Sequence, residues 1–278
     1  MSKKCFITND GISHLEMLGS QSFNYFTLYA IAKKTGHQVA ISTAPHLFQG
    51  LLPQCFDLPF PLFPQSIPYD TYTSKLCTSP LIEEDLFNLD PNKNYVLNAR
   101  FDYGSLYWGD ILDEIKPLFK IKQVFLDEAQ NIIQSIQPNK NTPLVSLTFR
   151  RGVCSFYMDT YMNYYENALK LVPDDAIIMV MCDDFEWVNT SKELEKLLEG
   201  RNVLRANYKD YVQFSLITLS DYNILNPSSF CLLASILSKK PQFNTFPNFH
   251  NTPLLHLITA QFMVDKYFPD WTQVKFEC

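Results

Sequence analysis

Glycine is scarce in this sequence, with 8 residues among 278, whereas there are 17 prolines. A collagen-like repeat and a flexible glycine–serine linker are therefore both excluded, and any hinge between domains must be short. Basic residues are also in deficit: 23 Lys and Arg stand against 29 Asp and Glu, so the net charge is −6. This balance disfavours a nucleic-acid partner, because phosphate contacts require a basic face.

The sequence also lacks paired cysteines and a long apolar segment near its start. Its 7 cysteines are scattered, at positions 5, 55, 77, 154, 182, 231 and 278, without a C-x-x-C pair. A disulfide scaffold or a structural zinc site would group them more tightly, so we expect reduced, mostly buried thiols and a cytoplasmic protein. The apolar stretch after Lys4 ends at Ile7, and we expect neither a signal peptide nor a transmembrane segment.

The signature motifs of several common enzyme classes are absent. The sequence contains no G-x-x-x-x-G-K-[ST], G-x-G-x-x-G or G-x-S-x-G segment, and its 5 histidines show no H-x-x-x-H or H-E-x-x-H spacing. The sequence therefore has no motif that would support a kinase, dehydrogenase or hydrolase interpretation.

The patterns that are present predict an α/β fold. Hydrophobic residues make up 46% of the chain, which is enough for a core, and at roughly 150 residues per domain the length suggests about two domains. A strand at 5–7, a helix at 21–35 that ends before Gly36, and a strand at 37–41 form a βαβ start, which implies a parallel sheet. Further on, the periodicity predicts a strand at 95–97 and helices at 107–119 and 124–136. The segment 45–80 is rich in proline and aromatic residues and is predicted to be irregular.

The polar segment 137–143 predicts the domain boundary, so that residues 1–140 and 141–278 form the two domains. Beyond it, apolar runs at 144–149, 176–181, 202–204 and 222–225 alternate with helical patterns. The run at 176–181 is of the kind that is buried on both faces of a parallel sheet. We predict two Rossmann-like domains that face each other across a cleft, with the ligand at the carboxyl ends of the strands and with the last helix free to pack back on the N-terminal domain.

Two segments of the second half carry groups that suit a phosphate. Arg150 and Arg151 follow a predicted buried strand, and guanidinium groups bind phosphate oxygens bidentately. Ser228 and Ser229 lie between a strand and a helix, where hydroxyls, unpaired main-chain N–H groups and the helix dipole form an anion site. In the alternative interpretation the arginines are ordinary surface residues and the serines a plain helix cap.

Acidic residues in the same half allow two further roles. Asp221 precedes a strand, and its carboxylate suits the paired N–H donors of a guanine edge, although such a residue is commonly only part of a turn. The segment 182–187 (CDDFEW) brings three carboxylates to the end of a strand. These could bind a hard cation, but no histidine is near them to extend the ligand set, and loop or helix-start roles are the alternative.

Taken in order, five segments resemble glycosyltransferase family 11, the α-1,2-fucosyltransferases, and the wider fucosyltransferase group. Residues 18–25 (LGSQSFNY) are similar to the family's G-L-G-N-Q-M-F-Q-Y, and 101–103 (FDY) to an inner Y-F-Q-S segment. Residues 148–153 (TFRRGV) resemble H-x-R-R-G-D, and 182–187 resemble S-D-D-x-E-W. Residues 220–225 (SDYNIL) with 228–230 (SSF) resemble C-D-H-N-I-I followed by S-[ST]-F.

The resemblance implies a GT-B fold and an inverting, metal-independent transfer of L-fucose from GDP-fucose to a hydroxyl of a glycan acceptor, with no cofactor. Arg150 would hold the β-phosphate and neutralise the leaving GDP, and Asp221 would bind guanine. The implied donor site is made of Arg150, Arg151, Asp184, Asp221, Ser228, Ser229 and Phe230. Inversion also requires a base for the acceptor hydroxyl, for which Asp102 is the first candidate and His14 the second.

The sequence departs from the family pattern around the donor site. Thr148 stands where the family has His, Val153 where it has Asp, Ser20 where it has Asn, and Leu232 and Leu233 where a Trp pair is usual. These changes could mean another nucleotide sugar, another acceptor geometry or a loss of activity. We favour a divergent but active transferase, with a non-catalytic nucleotide-sugar or glycan-binding protein as the alternative.

Overall fold

The computed structural model describes residues 4–10, 17–42, 51–64, 66–75, 81–101, 104–137, 139, 141–151, 162–239, 242–249 and 255–275. The chain forms two compact units. The first comprises Met1–Lys120 and Leu254–Met263, and the second comprises Ile121–Pro253 and Val264–Cys278.

The first unit is built on a four-stranded parallel sheet. Its elements, in chain order, are β1 (Phe6–Asn9), α1 (Leu18–Thr35), β2 (Gln38–Val39), α2 (Leu51–Cys55), β3 (Phe56–Asp57), β4 (Asp70–Thr73), β5 (Tyr95–Asn98), α3 (Ser105–Trp108), α4 (Leu112–Ile115) and β6 (Lys120–Ile121). The strand order is β2-β1-β5-β4, and the paired strands run parallel.

The predicted first helix is confirmed, with α1 beginning three residues earlier than expected. Its C-terminus is set by Gly36, whose φ of 84° lies in the left-handed region and whose N–H donates to Ala32 O. Glycine accepts this conformation without steric cost. The helix buries Phe23 and Phe26, which contact the ring of Trp108 in α3 at centroid distances of 5.6 and 5.3 Å.

Two predictions for this unit need correction. The segment 45–80 is not wholly irregular, because β4 lies within it as an edge strand of the sheet. Its sequence DTYT is mostly exposed, so it lacks the apolar signal of a buried strand. The helix predicted over 107–119 is interrupted: α3 and α4 alternate with 3₁₀ turns at Gly109–Ile111 and Lys116–Leu118.

The second unit is built on a six-stranded sheet. Its elements are α5 (Gln123–Ile136), β7 (Leu144–Phe149), α6 (Met162–Leu169), β8 (Ile177–Cys182), α7 (Phe185–Thr190), α8 (Lys192–Leu197), β9 (Asn202–Arg205), α9 (Asp210–Leu219), β10 (Tyr222–Ile224), α10 (Ser229–Leu237), β11 (Phe243–Pro247), α11 (Leu255–Tyr267) and β12 (Thr272–Val274). The order is β12-β11-β10-β7-β8-β9, and every described pair is parallel. The predicted alternation of strands and helices is confirmed.

The division between the units falls at Lys120, twenty residues before the boundary expected from the polar segment 137–143. Helix α5 groups with the second unit because it packs against α9, where the rings of Phe125 and Tyr211 lie 5.0 Å apart. Leu254–Met263, which includes the first part of α11, groups with the first unit. A polar segment thus separates α5 from β7 without separating the two units.

The described part of the chain has neither a membrane-spanning helix nor a disulfide at its four described cysteines. There, no helix is both long and apolar enough to cross a bilayer. Cys5, Cys55, Cys182 and Cys231 are free thiols, in agreement with the expected reduced cysteines.

Candidate functional site

Three neighbouring strands of the second unit end beside one another and carry the candidate site. In the parallel sheet Phe149 of β7 lies opposite Cys182 of β8, and Leu147 lies opposite Ile224 of β10. The residues that follow these strands therefore emerge at one edge: Arg150 and Arg151 after β7, Asp183 and Asp184 after β8, and 226–229 after β10. This edge, at the carboxyl ends of the strands, is where ligands of α/β sheets bind.

Arg150 is held by the neighbouring strand. Its Nη1 lies 2.9 Å from Oδ2 of Asp183, and the two side chains are 33% and 23% exposed. The other carboxylate oxygen, Oδ1, accepts a hydrogen bond of 2.6 Å from the main-chain N–H of Arg151. Asp183 therefore contacts both arginines of the predicted pair. The motif at 182–187 contains this residue, but the donor site implied by the resemblance included its neighbour Asp184 instead.

Arg151 has a different environment from Arg150. Its guanidinium carbon lies 4.7 Å from the centre of the Trp187 ring, a cation–π geometry. The Trp187 ring in turn contacts Phe149 at a centroid distance of 5.1 Å. The two adjacent arginines thus take different partners: Arg150 pairs with a carboxylate, and Arg151 stacks on an aromatic ring.

The start of α10 is a capped helix N-terminus, which both the anion-site prediction and the plain-cap alternative require. Ser228 is its N-cap: its Oγ accepts a hydrogen bond of 3.3 Å from the N–H of Cys231. The N–H of Ser228 donates to Oδ1 of Asn226 at 2.9 Å, which fixes the turn before the helix. Ser229 is the first residue of this nine-residue helix. Phe230 packs against Phe214 of α9 at 5.3 Å.

Thr148 links the arginine strand to this turn. Its Oγ1 donates to the carbonyl of Ile224 at 3.1 Å and accepts from the N–H of Asn226 at 3.1 Å. Only 2% of the residue is exposed. The hydroxyl at the position where the resembled family has histidine is therefore occupied by contacts that hold the loop after β10 against β7.

The pKa of the Cys231 thiol, in the first turn of α10, is influenced by groups of both α10 and β7. Burial raises the pKa of this thiol, whereas hydrogen bonding with Ser228 and Thr148 and the positive charge of Arg150 act against that increase. The charge of Arg150 is thus close enough to the helix start to act on a group within its first turn. Burial likewise raises the pKa of Cys182 to about 12. Both thiols are therefore neutral near pH 7.

Asp184 serves the local structure of α7. It is the N-cap of that helix, and its Oδ1 accepts a hydrogen bond of 2.9 Å from the N–H of Trp187. An aspartate is among the preferred residues for this position. Its predicted contact with a donor stays a prediction.

Asp221 lies away from this site. Its Oδ2 accepts a hydrogen bond of 2.9 Å from the N–H of Leu144, the first residue of β7, whereas Arg150 follows the last. At about 3.3 Å per strand residue, five residues from Leu144 to Phe149 place Asp221 about 17 Å from the arginine edge. The expectation that Asp221 joins the arginines and serines is therefore corrected: it lies at the amino end of the sheet, where it ties β10 to β7.

Asp102 and His14, the candidate bases, and Val153 lie outside the described residues. The described residues contain no group of three or more His, Cys, Asp or Glu side chains that could hold a metal ion. The cation-binding alternative for the segment 182–187 thus gains no support from the geometry.

No protein-family model matches this chain, and no curated protein does. Solved structures are similar to it. The fucosyltransferase NodZ from Bradyrhizobium is 13% identical, with a TM-score of 0.57 over 85% of this chain and 93% of that one. POFUT1 in complex with GDP-fucose is 9% identical, with a TM-score of 0.56 over 87% and 97%. A variant of Arabidopsis thaliana FUT1 in complex with GDP is 11% identical, with a TM-score of 0.58 over 88% and 71%.

At these identities the likeness is one of fold. The predicted fold class is confirmed: the chain has parallel α/β sheets and a two-domain Rossmann-like organisation of the GT-B type, as in solved fucosyltransferases.

Proposed function

We propose that this protein is an inverting glycosyltransferase that transfers L-fucose from GDP-fucose to a hydroxyl group of a glycan acceptor without a metal ion. The observation that carries the proposal is that Arg150 and the capped start of α10 lie at the same edge of the sheet, at the carboxyl ends of the neighbouring strands β7 and β10. This arrangement combines a permanent positive charge, a serine hydroxyl and the positive end of a helix dipole. Solved structures of the same fold bind GDP or GDP-fucose.

The chemistry that this arrangement favours is departure of a nucleoside diphosphate. During transfer the bond between C1 of the sugar and the β-phosphate oxygen breaks, and negative charge develops on the phosphate. A guanidinium has five N–H donors, and the ion pair with Asp183 uses Nη1. The remaining donors of Arg150 and the first turn of α10 then stabilise the leaving diphosphate, a task that other transferases give to a cation.

The acceptor half of the reaction is proposed from the sequence. The acceptor oxygen forms the new bond to C1 on the face opposite to the diphosphate, and its proton passes to a base. Asp102 remains the proposed base and His14 the alternative. The first domain would bind the acceptor.

Membership of glycosyltransferase family 11 is likewise a proposal. It is supported by the order of the five segments and by the fold shared with fucosyltransferases. Thr148 is a departure from the family pattern. Its hydroxyl is engaged by Ile224 and Asn226, and threonine lacks the ring N–H with which a histidine could bind the sugar nucleotide. We therefore propose a donor pocket that differs from the family's at this position.

The free thiols support a cytoplasmic location, which subcellular fractionation would test.

Nucleotide binding and turnover together test the function. A thermal-shift panel of GDP, UDP and CMP should show stabilisation by GDP alone, since a ligand at 100 times its Kd stabilises by about 2.7 kcal/mol. GDP-fucose offered with a panel of glycans should release GDP and give a product whose anomeric configuration is inverted. GDP binding without any turnover would instead indicate a non-catalytic binding protein, and stabilisation by UDP would indicate a different donor.

A further inference from the structure

One carboxylate connects the two arginines that follow β7. Asp183 contacts Nη1 of Arg150 through Oδ2 at 2.9 Å and the main-chain N–H of Arg151 through Oδ1 at 2.6 Å. Both of its oxygens are engaged, and each is engaged by a different residue of the pair. The main-chain bond fixes the carboxylate, so that the side chain of Arg150 meets a partner that is itself held.

The sheet produces this arrangement. Because Phe149 lies opposite Cys182 in the parallel pair of β7 and β8, the next residue of each strand emerges beside the other. Those residues are Arg150 and Asp183. Both strands are fully buried, so the points from which the two side chains start are rigid.

Neither stability nor charge explains a carboxylate here. An ion pair that is partly exposed contributes little to stability, because water screens it. A negative charge beside a diphosphate also opposes binding through Coulomb repulsion. Orientation is the remaining benefit, since the long side chain of arginine has many rotamers and a fixed partner removes most of them before the ligand arrives.

We propose that Asp183 is the positioning residue of the diphosphate site. It holds one edge of the Arg150 guanidinium so that the other donors already face the phosphate oxygens, and it acts through Arg150 without touching the ligand. This inference rests on the proposed function, because it takes the ligand of Arg150 to be a diphosphate.

The proposal and simple electrostatics predict opposite signs for Asp183→Asn. Removal of a negative charge alone should tighten the binding of an anion, whereas loss of the ion pair that orients Arg150 should weaken it. Asparagine keeps an oxygen for the N–H of Arg151. We expect the Kd of inorganic pyrophosphate and of GDP, measured by calorimetry, to rise at least about five-fold, as for coupled polar residues. An unchanged or lower Kd would overturn the proposal.

Glu186→Gln is the matched control. It removes one negative charge from an exposed position in the first turn of α7, three residues after Asp183, and leaves the pair of Arg150 and Asp183 intact. We expect it not to weaken pyrophosphate binding. If the two variants weaken binding equally, the effect is not specific to the ion pair with Arg150, and the positioning role is rejected.

A double-mutant cycle separates positioning from a structural role. If Asp183 acts through Arg150, then Asp183→Asn introduced into an Arg150→Ala background should no longer weaken binding of either probe. A further loss in that background would overturn the proposal.

Asp183→Glu offers a second test that keeps the charge. The displaced carboxylate should weaken binding, and a wild-type Kd in a folded Asp183→Glu variant would equally reject the role.

The two probes distinguish failure of this inference from failure of the proposed function. Pyrophosphate reports on the arginine site whatever the nucleoside is, whereas GDP reports on the nucleotide. Wild-type protein that binds pyrophosphate but not GDP would overturn the GDP-dependent function and still allow the cycle to be measured. Wild-type protein that binds neither would overturn both.

Discussion

The hydroxyl of Thr148 accepts a hydrogen bond of 3.1 Å from the main-chain N–H of Asn226. This bond joins the carboxyl end of β7 to the loop after β10. The same hydroxyl donates to Ile224 O. These contacts set the distance between the arginine strand and the start of α10, the two parts of the proposed diphosphate site. The separation of Arg150 from Ser228 thus depends on a residue that need not touch the ligand.

Replacement of Thr148 by valine should loosen this link. Valine has nearly the same shape but offers no acceptor to the main-chain N–H of the buried Asn226, and the loss of such a partner costs about 1–3 kcal/mol. We expect a loss of that order in the free energy of urea unfolding and a weaker affinity for GDP. Thr148→Ser keeps the hydroxyl and is the control. Equal GDP affinity in all three proteins would show that the link does not shape the site.

Arg150→Ala should impair transfer more than folding. Loss of a preorganised donor to developing charge costs about 2–4 kcal/mol of transition-state stabilisation, or roughly 30- to 1,000-fold in kcat/KM. The surface residue Arg205, which is 38% exposed and 3.9 Å from Glu195, offers a matched control: Arg205→Ala should retain wild-type kcat/KM. A turnover number unchanged in folded Arg150→Ala would remove Arg150 from the mechanism.

Asp221→Ala should lower the stability of the protein but leave its affinity for the nucleotide unchanged. The carboxylate accepts the N–H of Leu144 at the amino end of the sheet, and its loss leaves that donor without the bond, which costs about 1–3 kcal/mol. Asp221→Asn keeps an acceptor and should lose less. The Kd of GDP should stay within about two-fold of wild type, because the hydrogen bond between Asp221 and Leu144 lies far from the arginine site and should couple weakly to it. A large loss of GDP affinity in Asp221→Asn would contradict this placement.

Chelation should leave transfer intact. The proposed site neutralises the leaving diphosphate with Arg150 and the start of α10, and so has no step that requires a cation. Assays in excess EDTA should therefore proceed at the untreated rate. Loss of activity that Mn²⁺ restores would instead assign Asp183 and Asp184 as ligands.

Glu83 should make the first unit sensitive to acid. Burial alone would raise the pKa of this carboxyl, but hydrogen bonds from Ser74 and Tyr72, each 2.6 Å long, and from the N–H of Lys75 outweigh it, and the pKa is lowered. A lowered pKa stabilises the folded state above the unfolded value of about 4.3, and this stabilisation is lost as the pH falls through the folded value.

The Glu83→Gln variant tests this sign. Relative to wild type it should lose about 1–3 kcal/mol of unfolding free energy at pH 7, and the difference should shrink as the pH falls from about 5 to 3. Glu84→Gln, at an exposed neighbouring position, should show no such trend. A difference for Glu83→Gln that does not change with pH would contradict the assigned role.

Elements with strong local signals were predictable. β7 and β8 are continuous apolar runs, and α1 ends at a glycine with positive φ. β4 was missed because an exposed edge strand needs no apolar pattern. The division between the units lies before α5, and not at the polar segment 137–143, because Phe125 of α5 packs on Tyr211 of the second unit. A contact between residues so far apart in the chain has no signal in the local sequence.

Apolar periodicity, turn chemistry and capping act over a few neighbouring residues. The α/β class, the parallel sheets and the position of Arg150 and Ser228 at the carboxyl ends of strands therefore follow from local patterns. Local patterns do not specify which strands are neighbours. The strand order of the folded sheet brings Asp183 beside Arg150 and places Asp221 at the opposite edge of the sheet. Strand order and register arise from the packing of residues far apart in the chain, so a residue's partner across the sheet is decided by the fold as a whole.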